Sequence, residues 1–507
     1  MTAVVALRSR SDIRPLQVRC VAAIAEQKRV MLALNTGYGK TCIALTSLVD
    51  LNQATGKRNL MLYVAPPAVA ASVPVREAAT WAHLSHLKVV TLTGTPAQRL
   101  GKLKSGDFDV LSISYNMLGW LIENASAMPV PDVLVADELS KAKSITSQTH
   151  RRLVAISRSV EIFIGMVALP AARGHQDLYG QMVPIDFGKR LGRTFGEFTA
   201  RWFVPHGVFG DFRVRNSQSA QEINEAIADV ALSPRDDERV DLPALVELRH
   251  EVELVGEART EYERTESGLL LGKPIDPATI LGRLAQLADG CVYGTDGQAR
   301  FIHSAKLDRL VDLVDEIAEP VIVVYRYRHI QAEILKRVKG ATAWDPSSAA
   351  SINRTIDDFA AGRIPVLVAH SASFGHGIDG LQKGARHLIW FGPPLFSLEL
   401  KLQTQGRLHR PGVKDTVFIH SIDAAGTVDQ VINAVLAGRM KGQDQLIETL
   451  ASYLQNKHGK RAGDDLADRL KQARRDVQRA HPDLGGSPAE FIKAKAELDR
   501  LKKAAHP

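Results

Sequence analysis

The chain has 507 residues, of which 45% are hydrophobic, and its formal net charge is +8. Because single hydrophobic cores stop growing beyond roughly 250–300 residues, this length predicts two or three domains. The positive charge is compatible with a nucleic-acid partner, but spread over this length it does not decide the function.

Targeting signals and cysteine spacing exclude several protein classes. No stretch approaches the roughly 18 consecutive apolar residues of a membrane span, and the N-terminal MTAVVALRSRSDIRP carries charges too early for a secretory signal. Cys20, Cys42 and Cys291 match no disulfide or metal-ligand spacing, which suits a reducing compartment. The sequence therefore predicts a soluble, cytoplasmic protein without a membrane partner.

Hydrophobic periodicity divides the chain into four regions. In residues 1–179 the short apolar runs VMLAL, LMLYVA, VVTL, VLSIS and VLVA alternate with longer amphipathic stretches, which is typical of a parallel α/β sheet. Residues 180–300 lose this rhythm and predict a mainly helical insertion. The runs PVIVVY, PVLVAH, HLIWF and VFIHSI predict a second α/β unit over 301–447, and the polar residues 448–507 predict a helical tail.

A glycine turn early in the chain has the pattern of a phosphate-binding loop. Residues 31–45, MLALNTGYGKTCIAL, predict a buried strand, a turn and the start of a helix. Gly37 and Gly39 allow backbone N–H groups to face phosphates, Lys40 is expected to neutralise them, and Thr41 is expected to ligate Mg²⁺. The predicted nucleotide-binding residues of this loop are Thr36, Gly37, Tyr38, Gly39, Lys40 and Thr41.

Leu34 replaces a glycine of the full phosphate-loop pattern, which leaves an ordinary glycine turn as the alternative. A second motif favours a nucleotide site. In PDVLVADEL, Asp137 follows an apolar strand and is expected to hold Mg²⁺, while Glu138 is expected to act as the general base on the attacking water. Together the two motifs predict an ATPase site.

These motifs, from about residue 14 to 450, resemble the Swi/Snf-type helicase-like ATPases of superfamily 2, in the compact form found in bacteriophages. RPLQVRCVAAI resembles the segment whose glutamine reads adenine, which is Gln17 here. DELSKAKSITSQTHRRL resembles the DEAH motif, with Ser140 in place of its histidine. QTQGRLHRPG matches the sixth motif at Gln403, Gly406, Arg407 and Arg410, and SASFGHGIDG resembles the glycine-rich fifth motif.

The resemblance implies a fold and a mechanism. It implies two RecA-like parallel-sheet lobes, ATP and Mg²⁺ as cofactors, and a motor that grips duplex DNA by its backbone. Two arginines three residues apart on a helix share a face, so Arg407 and Arg410 are expected to reach a γ-phosphate held by the other lobe, one of them as an arginine finger. The implied catalytic residues are Lys40, Asp137, Glu138, Arg407 and Arg410.

The third motif departs from the family pattern and keeps other functions open. Ala168 and Leu169, in GMVALPAARG, stand where the family has glycine and threonine. A nucleotide-gated DNA-binding adaptor with little turnover is therefore the main alternative to a DNA translocase or helicase of phage replication, recombination or repair. A nuclease-associated motor would need its nuclease from a separate chain.

The C-terminal tail resembles the core of a J-domain. A basic helix precedes the tripeptide His481, Pro482 and Asp483, and a second helix follows it. This resemblance implies a heat-shock chaperone of the seventy-kilodalton class as a possible partner, and a DNA-contacting helical hairpin is the alternative.

Overall fold

The computed structural model describes residues 7–171, 174–206, 211–238, 241–271, 277–294, 297–374, 380–395 and 397–439. The resemblance at the fifth motif falls partly, and that at His481, Pro482 and Asp483 entirely, outside the described residues. Within the described ranges, no helix is long and apolar enough to cross a membrane.

The first half of the chain forms a parallel sheet. Its strands and those of a small hairpin are β1 (Arg29–Ala33), β2 (Met61–Ala65), β3 (Val89–Thr91), β4 (Val110–Ser114), β5 (Val133–Asp137), β6 (Ile162–Val167), β7 (Phe203–His206), β8 (Asp211–Val214) and β9 (Ala231–Leu232). The sheet order is β3-β4-β2-β5-β6-β1-β9, and every neighbouring pair is parallel.

Helices cover both faces of this sheet. They are α1 (Pro15–Gln27), α2 (Lys40–Thr55), α3 (Pro67–Thr80), α4 (Pro96–Ser105), α5 (Leu118–Glu123), α6 (Gln148–Ser157), α7 (Gln176–Asp186), α8 (Phe195–Trp202) and α9 (Ser217–Ile227). Every residue of β2 and β6 is buried, which is typical of a parallel sheet packed on both sides. This sheet and its helices are the first lobe.

The second half forms another sheet, which with its helices is the second lobe. Its strands, with a hairpin, are β10 (Leu245–Val252), β11 (Cys291–Tyr293), β12 (Ala299–Phe301), β13 (Val321–Tyr325), β14 (Ala341–Ala343), β15 (Val366–His370), β16 (His387–Phe391) and β17 (Val417–Ala424). The order is β10-β17-β16-β13-β15-β14, again parallel throughout. The predicted α/β class with two parallel-sheet lobes is confirmed.

The helices of the second lobe are α10 (Gly256–Leu271), α11 (Pro277–Ala288), α12 (Ala305–Ile317), α13 (Gln331–Arg337), α14 (Ala349–Ala360), α15 (Ser371–Phe374), α16 (Leu398–Gln405) and α17 (Val428–Ala434). Short 3-10 turns lie at Arg10–Asp12, Tyr115–Met117, Ala125–Ala127, Leu139–Ala142, Asp236–Glu238, Arg328–Ile330 and Leu381–Lys383, and a π-helical turn lies at Val435–Arg439.

Residues 180–300 are divided between the two lobes, which differs from the prediction of one helical insertion. Phe198 and Trp202 of α8 belong to the core of the first lobe, and β9 pairs with β1. Beyond them, β10 pairs with β17, and Leu281 of α11 packs with Val431 of α17. The alternation of apolar runs and amphipathic stretches is weak in this part of the sequence because its strands are short or lie at the edges of the sheets.

A row of three histidines joins neighbouring strands of the second sheet. His250 Nε2 lies 3.0 Å from His420 Nδ1, and His420 Nε2 lies 3.0 Å from His387 Nδ1. Arg309 donates to His250 Nδ1 over 3.0 Å, and His387 Nε2 faces Glu319 at 3.6 Å. Since Arg309 only donates, each ring accepts at Nδ1 and donates at Nε2, so all three rings are neutral and the row has one direction.

Four buried charges join the same sheet to its helices. Lys306 Nζ lies 2.8 Å from Asp289 Oδ1 and 2.5 Å from Asp429 Oδ2. Arg326 Nε lies 2.7 Å from Asp289 Oδ2, and its Nη2 lies 2.8 Å from Asp429 Oδ1. These side chains are 0–2% exposed, so two cations and two anions balance each other away from water.

Candidate nucleotide-binding and catalytic site

The predicted phosphate loop connects β1 to α2. Gly37 and Gly39 have φ angles of +88° and +72°, which favour glycine, and Lys40 begins α2. Lys40 Nζ donates to the carbonyl oxygens of Leu34 at 2.6 Å and Asn35 at 3.3 Å. Burial lowers the pKa of Lys40, against the opposing carboxylates Asp137 and Glu138. The ammonium thus rests on neutral oxygens of its own loop.

Asp137 is the last residue of β5 and Glu138 follows it, so both lie at the same end of the sheet as the phosphate loop, because β5 and β1 both pair in parallel with β6. Tyr63 OH donates to Asp137 Oδ2 over 2.8 Å, and the Glu138 N–H donates to Asp137 Oδ1 over 2.9 Å. Tyr63 OH also lies 3.4 Å from Thr41 Oγ1. Burial raises the pKa of Asp137. Tyr63 therefore connects the two residues predicted to ligate Mg²⁺.

Glu138 adopts a left-handed backbone conformation. Its φ of +57° and ψ of +56° cost a non-glycine residue about 1 kcal/mol. Tyr115 OH donates to the carbonyl oxygen of Asp137 over 2.8 Å, which fixes the peptide that enters this turn. Glu138 thus forms the junction between β5 and the 3-10 turn Leu139–Ala142.

A contact across the two lobes reaches the Glu138 carboxyl group. Ser140 Oγ lies 2.9 Å from Glu138 Oε1 and 2.7 Å from Glu399 Oε1 on α16. Burial, with the neighbouring Glu399, raises the pKa of Glu138 to about 8. Burial alone would raise the pKa of Glu399 too, but hydrogen bonds to Glu138 and Ser140 hold it below its usual value. These opposite shifts favour the protonated form of Glu138 and the ionised form of Glu399.

The sixth-motif residues lie on the turn that follows α16, because α16 ends at Gln405. The expectation that Arg407 and Arg410 share a helix face is therefore wrong in detail: the N–H of Arg407 still bonds to Thr404 O at 3.0 Å, but the helix does not continue to Arg410. The positive charges of both arginines contribute to lowering the pKa of Lys40, after burial, so both act on the phosphate loop.

The lobes touch at the phosphate loop. A Cβ on Gly37 would lie 2.6 Å from Pro411 Cδ, and a Cβ on Gly406 would lie 3.3 Å from Thr36 Cβ. Glycine at 37 is thus required both by its positive φ and by the second lobe.

Gln17 lies beside the phosphate loop. Its Oε1 accepts from the N–H of Arg14 at 3.0 Å, and its Nε2 lies 3.5 Å from Gly39 O. Arg14 Nη2 donates to Gly37 O over 3.0 Å, and its guanidinium lies 5.7 Å from the Tyr38 ring centroid. Tyr38, predicted to bind nucleotide, is buried in the core of the first lobe, so its side chain packs under Arg14.

The candidate residues share one cleft of about 490 Å³ between the lobes. Its lining includes Gln17, Thr36, Gly37, Gly39, Lys40, Thr41, Asp137, Glu138, Ala168, Gln403, Arg407 and Arg410. The described residues contain no group of three side chains suited to hold a metal ion. Thr41 and Asp137 nevertheless fit Mg²⁺, because Mg²⁺ in nucleotide sites takes one or two protein ligands and completes its shell with phosphates and water.

A family model and a phage protein are similar to this chain. A family model described as DEAD/DEAH box helicase matches residues 14–165. Protein p41 of Acyrthosiphon pisum secondary endosymbiont phage 1 is 30% identical over 459 residues, which cover 86% of this chain and 98% of that protein. The chain therefore belongs to the same family as this phage protein, and its residues 14–165 match the DEAD/DEAH box helicase model.

A solved chain described as "Sulfolobus solfataricus SWI2/SNF2 ATPase core in complex with dsDNA" is also similar to this chain. It is 16% identical, with a TM-score of 0.42, over 90% of this chain and 98% of that chain. The helicase model spans Gln17, Lys40, Asp137 and Glu138, while Arg407 and Arg410 lie beyond its limits.

Sequence reasoning missed three residues of this site. Tyr63 is the one hydroxyl in the apolar run LMLYVA, a signal that gains meaning only when β2 is known to pair with β5. Tyr115 and Glu399 carry no local signal, because their roles depend on contacts with Asp137 and Ser140 that are distant in sequence.

Proposed function

We propose that this protein is a DNA-dependent ATPase that moves along duplex DNA. The observation that supports it best is the shared cleft, where Lys40 and Glu138 of the first lobe face Arg407 and Arg410 of the second. Each of these residue types has a role in phosphoryl transfer: a cation for phosphate, a base for water, and guanidinium groups for the transferred phosphoryl.

Binding of a triphosphate would give Lys40 stronger hydrogen-bond acceptors than it has in this structure. Lys40 now donates to the neutral carbonyls of Leu34 and Asn35, and phosphate oxygens are better acceptors for an ammonium group. Thr41 and Asp137 would hold Mg²⁺, which neutralises phosphate charge when bound. Tyr63 orients Asp137 for this role through its hydrogen bond.

Glu138 is the proposed general base. Its raised pKa of about 8 means that the carboxyl group is protonated near neutral pH while burial and Glu399 act on it, so it cannot accept a proton in this state. To act as a base, Glu138 must first lose this proton, and Glu399, held beside it through Ser140, is one of the groups that favour the protonated form. Release of the contact through Ser140 would therefore prepare the base.

Lobe movement would couple hydrolysis to work. ATP held between Lys40 and the arginines Arg407 and Arg410 favours closure, and loss of the γ-phosphate removes the bridge. Backbone contacts to DNA from each lobe would then shift one lobe along the duplex per cycle. We propose translocation rather than strand separation, as the resemblance to Swi/Snf-type ATPases implies.

Hydrolysis is tested by two substitutions. We expect Lys40→Ala to weaken ATP binding and turnover together, because the loop loses its phosphate cation, and Glu138→Gln to bind ATP but lose turnover by about 10²-fold or more. The measurement is phosphate release with and without duplex DNA. Exposed Lys57→Ala and Glu26→Gln are matched controls and should behave like the parent.

The same assay separates the motor from a nucleotide-gated adaptor. A motor releases phosphate faster when DNA is added, whereas an adaptor binds ATP without this stimulation. Turnover near the parent's in either Lys40→Ala or Glu138→Gln would contradict the site assignment.

DNA binding is expected to depend on salt and hardly on sequence. Contacts to backbone phosphates release counterions, so affinity should fall steeply between about 50 and 200 mM salt. Titrations of a natural duplex and of its scrambled counterpart test this. A scrambled duplex that binds far more weakly would contradict backbone recognition.

A further inference from the structure

The described chain begins with a short segment that is held against the end of α3. The N–H of Arg8 donates to Thr80 O over 3.0 Å, and the N–H of Ala82 donates to Arg8 O over 2.9 Å. These bonds form a parallel bridge between Arg8 and Trp81. The backbone of Arg8 is therefore fixed relative to the first lobe, although its side chain is exposed.

The Arg8 guanidinium lies over the indole of Trp81, 5.6 Å from the ring centroid. Trp81 is 3% exposed, and its Nε1 donates to Glu77 Oε1 over 2.9 Å, so the indole cannot turn without losing this bond. A planar guanidinium that covers a fixed aromatic face is itself held in orientation.

Arg8 also lines the cleft between the lobes, together with Trp81, Glu77 and Gln17. The pKa of Arg14 is lowered by burial and further by the charge of Arg8, so the two guanidinium groups are near each other. Arg14 is bonded to the phosphate loop and to Gln17. Arg8 thus belongs to the Gln17 side of the cleft, where a nucleotide anchored at Lys40 would present its base.

We infer that Arg8 stacks on the purine base of the bound nucleotide, with the indole of Trp81 on its opposite face. A guanidinium is planar and weakly hydrated, so it stacks on two faces at once. The purine base, the Arg8 guanidinium and the Trp81 indole would then form one stack. The guanidinium and the indole already face each other in this structure. This inference rests on the proposed nucleotide site.

The test compares a ligand that has a base with one that has none. Binding of the non-hydrolysable β,γ-imido analogue of ATP and of inorganic tripolyphosphate is measured by calorimetry. We expect Arg8→Ala to weaken the ATP analogue about tenfold, as loss of a base-stacking side chain does, and to leave tripolyphosphate binding unchanged. In hydrolysis, the KM for ATP should rise by a similar factor while kcat stays the same.

Two further variants separate stacking from charge. Arg8→Lys keeps the charge but not the planar group, so it should lose as much affinity as Arg8→Ala. Arg10→Ala is the matched control, since Arg10 is an exposed arginine of the same segment whose guanidinium pairs with Asp50 at 2.6 Å. It should bind both ligands like the parent.

The outcomes distinguish this inference from the proposed function. If the parent binds neither ligand, the nucleotide site and the role of Arg8 are both wrong. If the parent binds the ATP analogue and Arg8→Ala binds it equally well, only the role of Arg8 is wrong. Equal losses for both ligands, or full recovery in Arg8→Lys, would show a phosphate contact instead and would overturn stacking.

Discussion

The pKa values of buried charged groups are shifted in opposite senses in two regions of this molecule. In the second lobe, Lys306 and Arg326 each contact both Asp289 and Asp429, and these cations hold the pKa of Asp429 at about 2, although burial opposes them. In the cleft, burial lowers the pKa of Lys40, and raises those of Asp137 and Glu138. The first group favours its charged forms, and the second disfavours them.

The difference separates structure from function in physical terms. A buried ion group that is balanced stabilises its own charges and needs nothing from solution. At Lys40, Asp137 and Glu138 desolvation instead outweighs the favourable contacts, as the Lys40 contact with two carbonyl oxygens illustrates. Perturbed pKa values of this kind cluster at functional sites, and a triphosphate with its cation would supply the missing partners.

The largest expected effect comes from the arginines that reach the cleft from the second lobe. Arg407→Ala and Arg410→Ala should each reduce DNA-stimulated turnover, with a loss of about 10³-fold or more for the one that acts as arginine finger. Nucleotide affinity should change by only a few-fold, because Gln17 and the phosphate loop supply most of it. The measurements are phosphate release and the affinity of a fluorescent ATP analogue.

Arg363→Ala is the matched control in the same lobe, since this exposed arginine pairs with Asp358 at the surface. It should leave both quantities unchanged. If Arg407→Ala and Arg410→Ala both hydrolyse ATP within a few-fold of the parent, the second lobe contributes no catalytic arginine to the nucleotide site of the first. The proposal of a two-lobe motor would then lose its main support.

The balanced group should respond in stability rather than in activity. Asp289→Asn leaves Lys306 and Arg326 facing Asp429 alone, and an uncompensated buried charge costs about 3–5 kcal/mol in free energy of unfolding. Urea unfolding measures this loss. Asp358→Asn, which breaks an exposed pair with Arg363, should cost less than about 1 kcal/mol.

Nucleotide binding under native conditions should survive Asp289→Asn, because the group lies outside the cleft lining. A variant as stable as the parent would mean that Asp289 is not needed to balance Lys306 and Arg326. The contrast between the two regions would then rest on geometry alone.

Of the two regions, only the cleft could be predicted from the sequence. The phosphate loop and the Asp137–Glu138 pair are local patterns, in which a strand, a turn and a polar residue follow one another within ten residues. The structure brings them to one sheet edge because parallel strands end together. The two-lobe α/β fold was predictable for the same reason, since buried parallel strands read as apolar runs.

The buried ion group of the second lobe could not be predicted, because it depends on contacts between residues that are distant in sequence. Asp289 lies in the segment predicted as an insertion, and nothing near it in sequence indicates Asp429 as a shared partner of Lys306 and Arg326. The contact of Ser140 with Glu399 is equally non-local. Sequence patterns report local periodicity, whereas such polar groups are specified by how sheets and helices pack.

The row of histidines is a third type of buried polar group, and its rings are neutral. We expect it to have the smallest effect of the three, a dependence of the free energy of unfolding on pH. Burial, with the charges of His387, His250 and Arg309, lowers the pKa of His420 to about 4. An unfolded histidine titrates near 6.5, so below about pH 6.5 the unfolded chain binds protons that the folded lobe excludes. The free energy of unfolding should therefore be constant above this pH and fall as pH decreases towards 4.

The groups that face the row set which end responds to acid. Burial and then Arg309 lower the pKa of His250 and so oppose its protonation, whereas Glu316 and Asp423 favour it. At the other end, Glu319 favours protonation of His387, against burial and Arg386. His420, between two rings and without a carboxylate of its own, is the position where a proton costs most.

Between pH 7.5 and 5, we expect the parent to lose on the order of 2 kcal/mol through His420, because each unit of pKa shift is worth about 1.4 kcal/mol. His420→Gln should lose correspondingly less over the same interval, since its side chain does not titrate. Urea unfolding at the two pH values measures both, and exposed His86→Gln should keep the parent's dependence. An acid loss in His420→Gln as large as the parent's would assign the pH dependence to other groups. A smaller loss would instead show that the second lobe holds His420 neutral by excluding a proton, whereas its buried ion group keeps its charges by balancing them.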